Sequence, residues 1–241
     1  MIILGSNSEV AQAFLERLLL NGEKFDNVYL FTSNRLSTEK FARHIEVKYG
    51  ILPKIIELDL EEPLDFERFG DVDSQVLFCA TGYLGKNTRE GFLDAENTRK
   101  VIDINYAKLI PVINYFVGKM MRKKKGTIIG ISSVAGDRGR QSNFIYGSSK
   151  AAFTAYLSGL RNYLYFKNIH VLTIKPGFMA TKMTEGLALN PKLTATPVQA
   201  ADIIYKAYKK KRNVVYVLPV WWVIMMIIRN IPEQIFKKLK L

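Results

Sequence analysis

The chain has 241 residues, 48% of them hydrophobic and 24% charged, with a formal net charge of +13. That composition suits one large α/β domain or two small ones and excludes a disordered chain, which lacks the apolar residues to fold. A single cysteine, Cys79, excludes an internal disulfide and points to a reducing, cytoplasmic setting; together with His44 and His170 it offers no metal-ligand spacing.

Met1 leads directly into Ile2-Ile3-Leu4, leaving no room for the basic and apolar regions of a signal peptide. This run reads as the first strand and ends at Gly5. Ser6-Asn7-Ser8-Glu9-Val10-Ala11 follows and opens a helix over 8–20. A glycine here permits a tight turn, and the helix N-terminus then offers amides to a pyrophosphate. In the pattern Gly-x-x-x-Glu-x-Ala, Glu9 and Ala11 stand where glycines are expected, so the Glu9 carboxylate must point away from such a group. Gly5, Asn7, Ser8, Glu9 and Val10 are the candidate cofactor contacts of this turn.

The second strand, Val28–Thr32, runs into Ser33-Asn34-Arg35. An NAD site places an acid there for the ribose hydroxyls. Arg35 instead suits a 2′-phosphate, which favours NADP(H) over NAD(H). After a helix near 38–49 and a strand Lys54–Leu58 come Asp59 and Leu60, with Asp59 placed to accept from an adenine amino group. A fourth strand, Val76–Ala80, leads into Ala80-Thr81-Gly82, whose small residues let a cofactor approach the backbone. Helices near 97–121, 144–167 and 198–210 alternate with strands Gly126–Ser132, His170–Lys175 and Val214–Leu218. The basic run Arg122–Lys125 reads as a helix end.

Strands alternating with helices of this length predict βαβ units. The expected architecture is a single doubly wound α/β domain, Rossmann-like, over residues 1–218. It has about seven parallel strands, helices on both faces and a helical tail over 219–241. Ligands in such a sheet bind beyond the carboxyl ends of the strands.

The most specific pattern is Tyr146-Gly-Ser-Ser-Lys150, with Ser132-Ser133 ending the preceding strand. Residues four apart share a helix face, so the phenol and the ammonium project together. A cation there is expected to lower the phenol pKa. Ser133 can donate to a carbonyl oxygen. With Asn105 on the preceding long helix, these residues resemble the catalytic tetrad of the short-chain dehydrogenase/reductase family, and the resemblance spans essentially the whole chain. It implies that Tyr146 is the acid, that Ser133 stabilises the developing oxyanion and that Lys150 binds the nicotinamide ribose. It further implies that Asn105 holds a water linking Lys150 to solvent. Lys175-Pro176-Gly177 and Thr181 resemble the family's nicotinamide loop, which a mobile substrate lid follows. Tyr146 and Lys150 thereby join the cofactor contacts, and a homo-oligomer formed through the helices near 97–121 and 144–167 is implied.

Residues 206–241 carry nine Lys/Arg against one acid, and Val220–Ile228 is unbroken apolar sequence. Nine residues are too few to span a bilayer, which takes about twenty. Trp221 and Trp222 beside Lys237, Lys238 and Lys240 suit a helix lying on a membrane surface, or one packed on the domain or a partner subunit. The tail's apolar face argues against nucleic acid. Tail and Gly5-x-x-Ser8-Glu9-Val10-Ala11 together resemble the reductase subunits of decaprenylphosphoryl-ribose 2-epimerase systems, which implies a polyprenyl-phosphate-linked 2-keto sugar. The alternatives are another lipid-like or small carbonyl, and a non-catalytic NADPH-binding scaffold, against which the intact tetrad argues.

Overall fold

The structure is a computed structural model that describes residues 1–240; Leu241, the end of the predicted tail, lies outside them. Its strands are β1 (Ile2–Leu4), β2 (Tyr29–Thr32), β3 (Lys54–Glu57), β4 (Val76–Cys79), β5 (Gly126–Ile131), β6 (Ile169–Pro176), the short β7 (Phe178–Met179) and β8 (Thr194–Ala195), and β9 (Val214–Val217). Seven form one parallel sheet in the order β3-β2-β1-β4-β5-β6-β9, and β7 pairs with β8 alone. Strand order reverses between β1 and β4, so the crevice where such sheets bind ligands opens there.

The central strands are apolar on both sides because both faces are covered, while the edge strands β3 and β9 are partly exposed. Ile3, Leu30, Phe78, Ile129 and Leu172 pack against α1 (Glu9–Leu20), α2 (Arg35–Tyr49) and α7 (Pro197–Lys209). The alternate residues Ile2, Leu4, Phe31, Leu77, Cys79, Ile128 and Val171 pack against α5 (Leu109–Lys123) and α6 (Phe144–Leu164). Ser8 caps α1, Asn34 caps α2, and Thr196 with Gln199 forms a capping box on α7.

The single helix expected over 97–121 is divided. After the short α3 (Thr88–Gly91), α4 (Ala95–Ile102) passes into a wide turn over Asp103–Ala107 before α5 begins. The cause is a set of long-range bonds: Asn105 is fully buried and its side chain bonds the Tyr83 backbone and Ser149, which draws that turn out of register. The tail forms α8 (Pro219–Asn230) and α9 (Glu233–Phe236), separated by Pro232.

The turn after β5 is tied to β6 and β9 by a buried polar group. Lys175 pairs with Asp137, whose side chain is 2% exposed, and Tyr216 donates to the other Asp137 oxygen at 2.7 Å. Asp137→Ala leaves the Lys175 ammonium buried without its counter-charge, at a cost of about 3–5 kcal/mol. For a domain of this size that lowers Tm by roughly 10 °C in a thermal melt, and an unchanged Tm would contradict the assignment.

Candidate active site

Asn105, Ser133, Tyr146 and Lys150 come together at the carboxyl ends of β4 and β5. The i,i+4 spacing on α6 sets Lys150 Nζ 5.7 Å from the centre of the Tyr146 ring. Lys150 is 3% exposed and donates to the Ile131 carbonyl at 3.2 Å. Gly82 lies directly against this ammonium, and a Cβ there would sit 3.3 Å from Nζ. The two neighbouring serines have separate jobs. Ser132 Oγ is occupied by the Lys150 carbonyl and Thr154 Oγ1, whereas Ser133 stands at the phenol and accepts only from Ala135 N.

The titration of the pair differs from the sequence expectation. Burial pushes the Tyr146 phenol up to about 12, and the Ser133 hydrogen bond only partly opposes this. Burial also pulls Lys150 down to about 8. Desolvation opposes whichever form is charged, so it moves the acid up and the base down. The site therefore holds a neutral phenol and a readily deprotonated amine. Asn105 Oδ1 accepts from Tyr83 N at 2.7 Å, and its Nδ2 donates to Tyr83 O and Ser149 Oγ. Both ends of that side chain are thus used in holding the break between α4 and α5.

At the cofactor end Gly5 has φ 79°, and a Cβ there would lie 2.7 Å from Thr81 N. Only glycine lets the β1–α1 turn press onto Ala80 and Thr81. Helix α1 begins at Glu9, directly after this turn, so the amides of its first turn, Val10 among them, are the ones that could meet a pyrophosphate. Other expected contacts are narrowed. Asn7 spends its side chain on Thr32 and Thr38, and Leu60 is 4% exposed in the core, so each can offer only backbone. Asp59 is exposed after β3 and accepts from Glu61 N. Arg35 is not free: Glu39 accepts from its Nε at 2.9 Å, and Glu57 lies 3.9 Å away. No acid occupies the end of β2 itself.

Pro176 and Gly177 end β6, and Thr181 caps the turn Lys182–Thr184. Sequence reasoning missed what holds this segment. The Glu9 carboxylate does point away from the pyrophosphate cradle: it accepts from Lys182 N at 2.9 Å, tying α1 to the segment. Met183 reaches over Gly82, 3.7 Å from where its Cβ would stand. An acid in place of a glycine signalled that Glu9 needed a partner, but not which one.

A profile of the short chain dehydrogenase family matches residues 66–192. The chain belongs to that family. It is an NAD(P)-dependent oxidoreductase. An uncharacterized oxidoreductase of Streptomyces coelicolor is 27% identical over 247 residues, 99% of this chain and 95% of that one. Among solved structures, a short chain dehydrogenase from Burkholderia cenocepacia in complex with NADP shares the fold with a TM-score of 0.81 at 18% identity, covering 98% of this chain and 95% of its own. Another, from Sphingobium yanoikuyae in complex with NADPH, has a TM-score of 0.78 at 17% identity, covering 96% of each chain.

The two perturbed groups set a pH dependence. With Tyr146 as the acid and Lys150 as a cation beside it, a reduction would need the phenol proton, present below about 12, and the ammonium charge, lost above about 8. The kcat/KM for NADPH is therefore flat near neutrality and falls as pH rises through about 8. A rate that holds level to pH 10 would show that Lys150 is not the titrating group.

Proposed function

We propose that this short chain dehydrogenase reduces a ketone to a secondary alcohol with NADPH, and that Tyr146 is the acid. The observation that carries this reading is the desolvated, neutral phenol standing at Ser133, with Lys150 on the same helix face. A nicotinamide dinucleotide, when bound, supplies the hydride to the carbonyl carbon. Ser133 holds the carbonyl oxygen as its charge grows. Tyr146 gives its proton to that oxygen, a stronger base than phenolate, so the transfer runs downhill even from a phenol of raised pKa. The Lys150 ammonium would stabilise the phenolate left behind until a proton reaches it from solvent, and would hold the nicotinamide ribose. Asn105 fixes the helix break that leaves space beside Lys150 for a proton path to solvent.

Preference for NADP(H) rests on Arg35 and the lack of an acid at the end of β2. A 2′-phosphate competes with Glu39 for the guanidinium and gains the stronger, doubly charged partner. Arg35→Ala is expected to raise KM for NADPH about tenfold, the worth of one charge-assisted hydrogen bond, and to leave KM for NADH nearly unchanged. Equal effects on the two would remove Arg35 from the specificity account.

For the substrate we favour a lipid-linked ketone, the polyprenyl-phosphate-linked 2-keto sugar that the sequence suggests. A cavity of about 800 Å³ opens between α3 and the start of α6, two residues before Tyr146. Phe92 and Phe144 give it an apolar wall, and Arg89 and Lys240 give it cations suited to a phosphate. The tail supports contact with a membrane surface. No helix among the described residues is long and apolar enough to cross a membrane. However, α8 exposes Val220, Trp222, Val223, Met226 and Ile227 beside a basic terminus. We read the protein as a cytoplasmic homo-oligomer resting on the inner membrane face.

The test is NADPH oxidation with a polyprenyl-phosphoryl 2-keto pentose in detergent. Turnover is expected, with kcat lowered by about 10²–10⁴ in Tyr146→Phe and NADPH binding retained. Undiminished turnover in Tyr146→Phe would overturn the assignment of the acid. No turnover with this ketone, in protein that binds NADPH, would overturn the lipid-sugar substrate.

A further inference from the structure

Helix α8 is apolar on two opposite faces. Its inner face places Trp221 (4% exposed) and Met225 against Val134, with Leu193, Tyr216 and Ile228 around them. Its outer face leaves Trp222 55% and Ile227 58% exposed, with Val220, Val223 and Met226 alongside. A helix that is apolar all round belongs in a buried setting, so the outer face calls for a cover. The segment that follows α8 carries Lys237 and Lys238, both exposed, while its one acid, Glu233, is paired with Arg138. A second copy docked there would press these cations together. An anionic bilayer satisfies both the apolar strip and the basic segment after it, with Trp222 at the interface.

The inner face ends at the nicotinamide loop. A Cβ on Gly177 would lie 1.9 Å from Trp221 Cε2, so the indole rests directly on that backbone. Trp221 Nε1 donates to the Leu193 carbonyl at 3.0 Å, and Phe178 meets the indole edge-on at 5.2 Å. One side chain thus touches both ends of the segment 177–193. At the other end of α8, Arg138, five residues after Ser133, donates to the Ile228 and Ile231 carbonyls at 2.7 and 2.6 Å. Its guanidinium also lies 3.6 Å from the centre of the Phe236 ring. The helix is held between the two segments that frame the Tyr146 site.

We propose that Trp221 is a positioning residue that couples lipid docking to the active site. Seating the outer face of α8 on an anionic bilayer holds the indole against Gly177 and orders segment 177–193 over the nicotinamide site. This rests on the membrane-surface reading above. Turning α8 to bury Trp222 moves Trp221 with it, because the two are adjacent on one rigid helix, and Gly177 has no side chain to cushion the change.

Hydrogen exchange of the full-length, NADPH-bound protein tests this, with and without vesicles of phosphatidylcholine and phosphatidylglycerol. On vesicles, amides of Phe178–Leu193 are expected to exchange about tenfold more slowly, a usual strength of coupling between two sites. Trp222→Asp should neither sediment with vesicles nor show the slowing. Trp221→Phe, which keeps an aromatic filler and loses the Leu193 hydrogen bond, should sediment and show little slowing. Wild-type protein that sediments with unchanged loop exchange would overturn the coupling and leave the membrane reading intact. Wild-type protein that fails to sediment would overturn both. Full slowing in Trp221→Phe would remove Trp221 as the link.

Discussion

The site depends on how closely α6 lies against the turn that follows β5. A Cβ on Gly136 would stand 2.7 Å from Ala151 N, so helix and turn meet backbone to backbone. That approach drives Lys150 under the end of the sheet until 3% of it is exposed, and it brings Ser133 to the Tyr146 phenol. Dehydration does the rest. It raises the phenol, lowers the amine, and leaves a site whose resting form is a neutral acid beside an amine close to its titration point.

The same turn carries the second half of the architecture. Asp137 and Arg138 follow it directly. Asp137 fixes it to Lys175 and Tyr216 at the far side of the sheet, and Arg138 fixes it to the end of α8. Ser133, the end of β6 and the tail therefore share one set of anchors. Leu218, at φ 65°, makes the sharp entry from β9 into α8 in a backbone region that costs a non-glycine residue about 1–2 kcal/mol. The hydrophobic contacts of Trp221 and Met225 offset that strain.

Much of this was legible from residue pattern alone. The strands at the middle of the main sheet were legible as apolar runs because they are buried on both faces, and the edge strands β3 and β9 by their place between helices. Tyr146 and Lys150 were legible because helical spacing is local. What was not legible depended on long-range partners. Asn105 looked like one residue of a continuous helix, since Tyr83 and Ser149, which pull it out of register, lie far along the chain. Of the two acids at Arg35, Glu39 lies one helical turn on and was within reach of the sequence, while Glu57 arrives from another strand and was not. Ser133 was singled out by its resemblance to the tetrad serine, but that Ser132 is held by Thr154 was not legible. In the tail, an unbroken apolar run carries no periodicity, so nothing in it told Trp221 from Trp222.

The central claim is that burial keeps Tyr146 a neutral acid. The most direct measurement is a pH titration of ¹³C-labelled tyrosine by NMR, with the Tyr146 signal assigned by its loss in Tyr146→Phe. The account predicts a ring signal that stays in the neutral position from pH 7 through pH 10 and moves only as the pH approaches about 12. A Tyr146 signal that shifts to the phenolate position near neutral pH would contradict it, and would mean that the Lys150 charge outweighs desolvation.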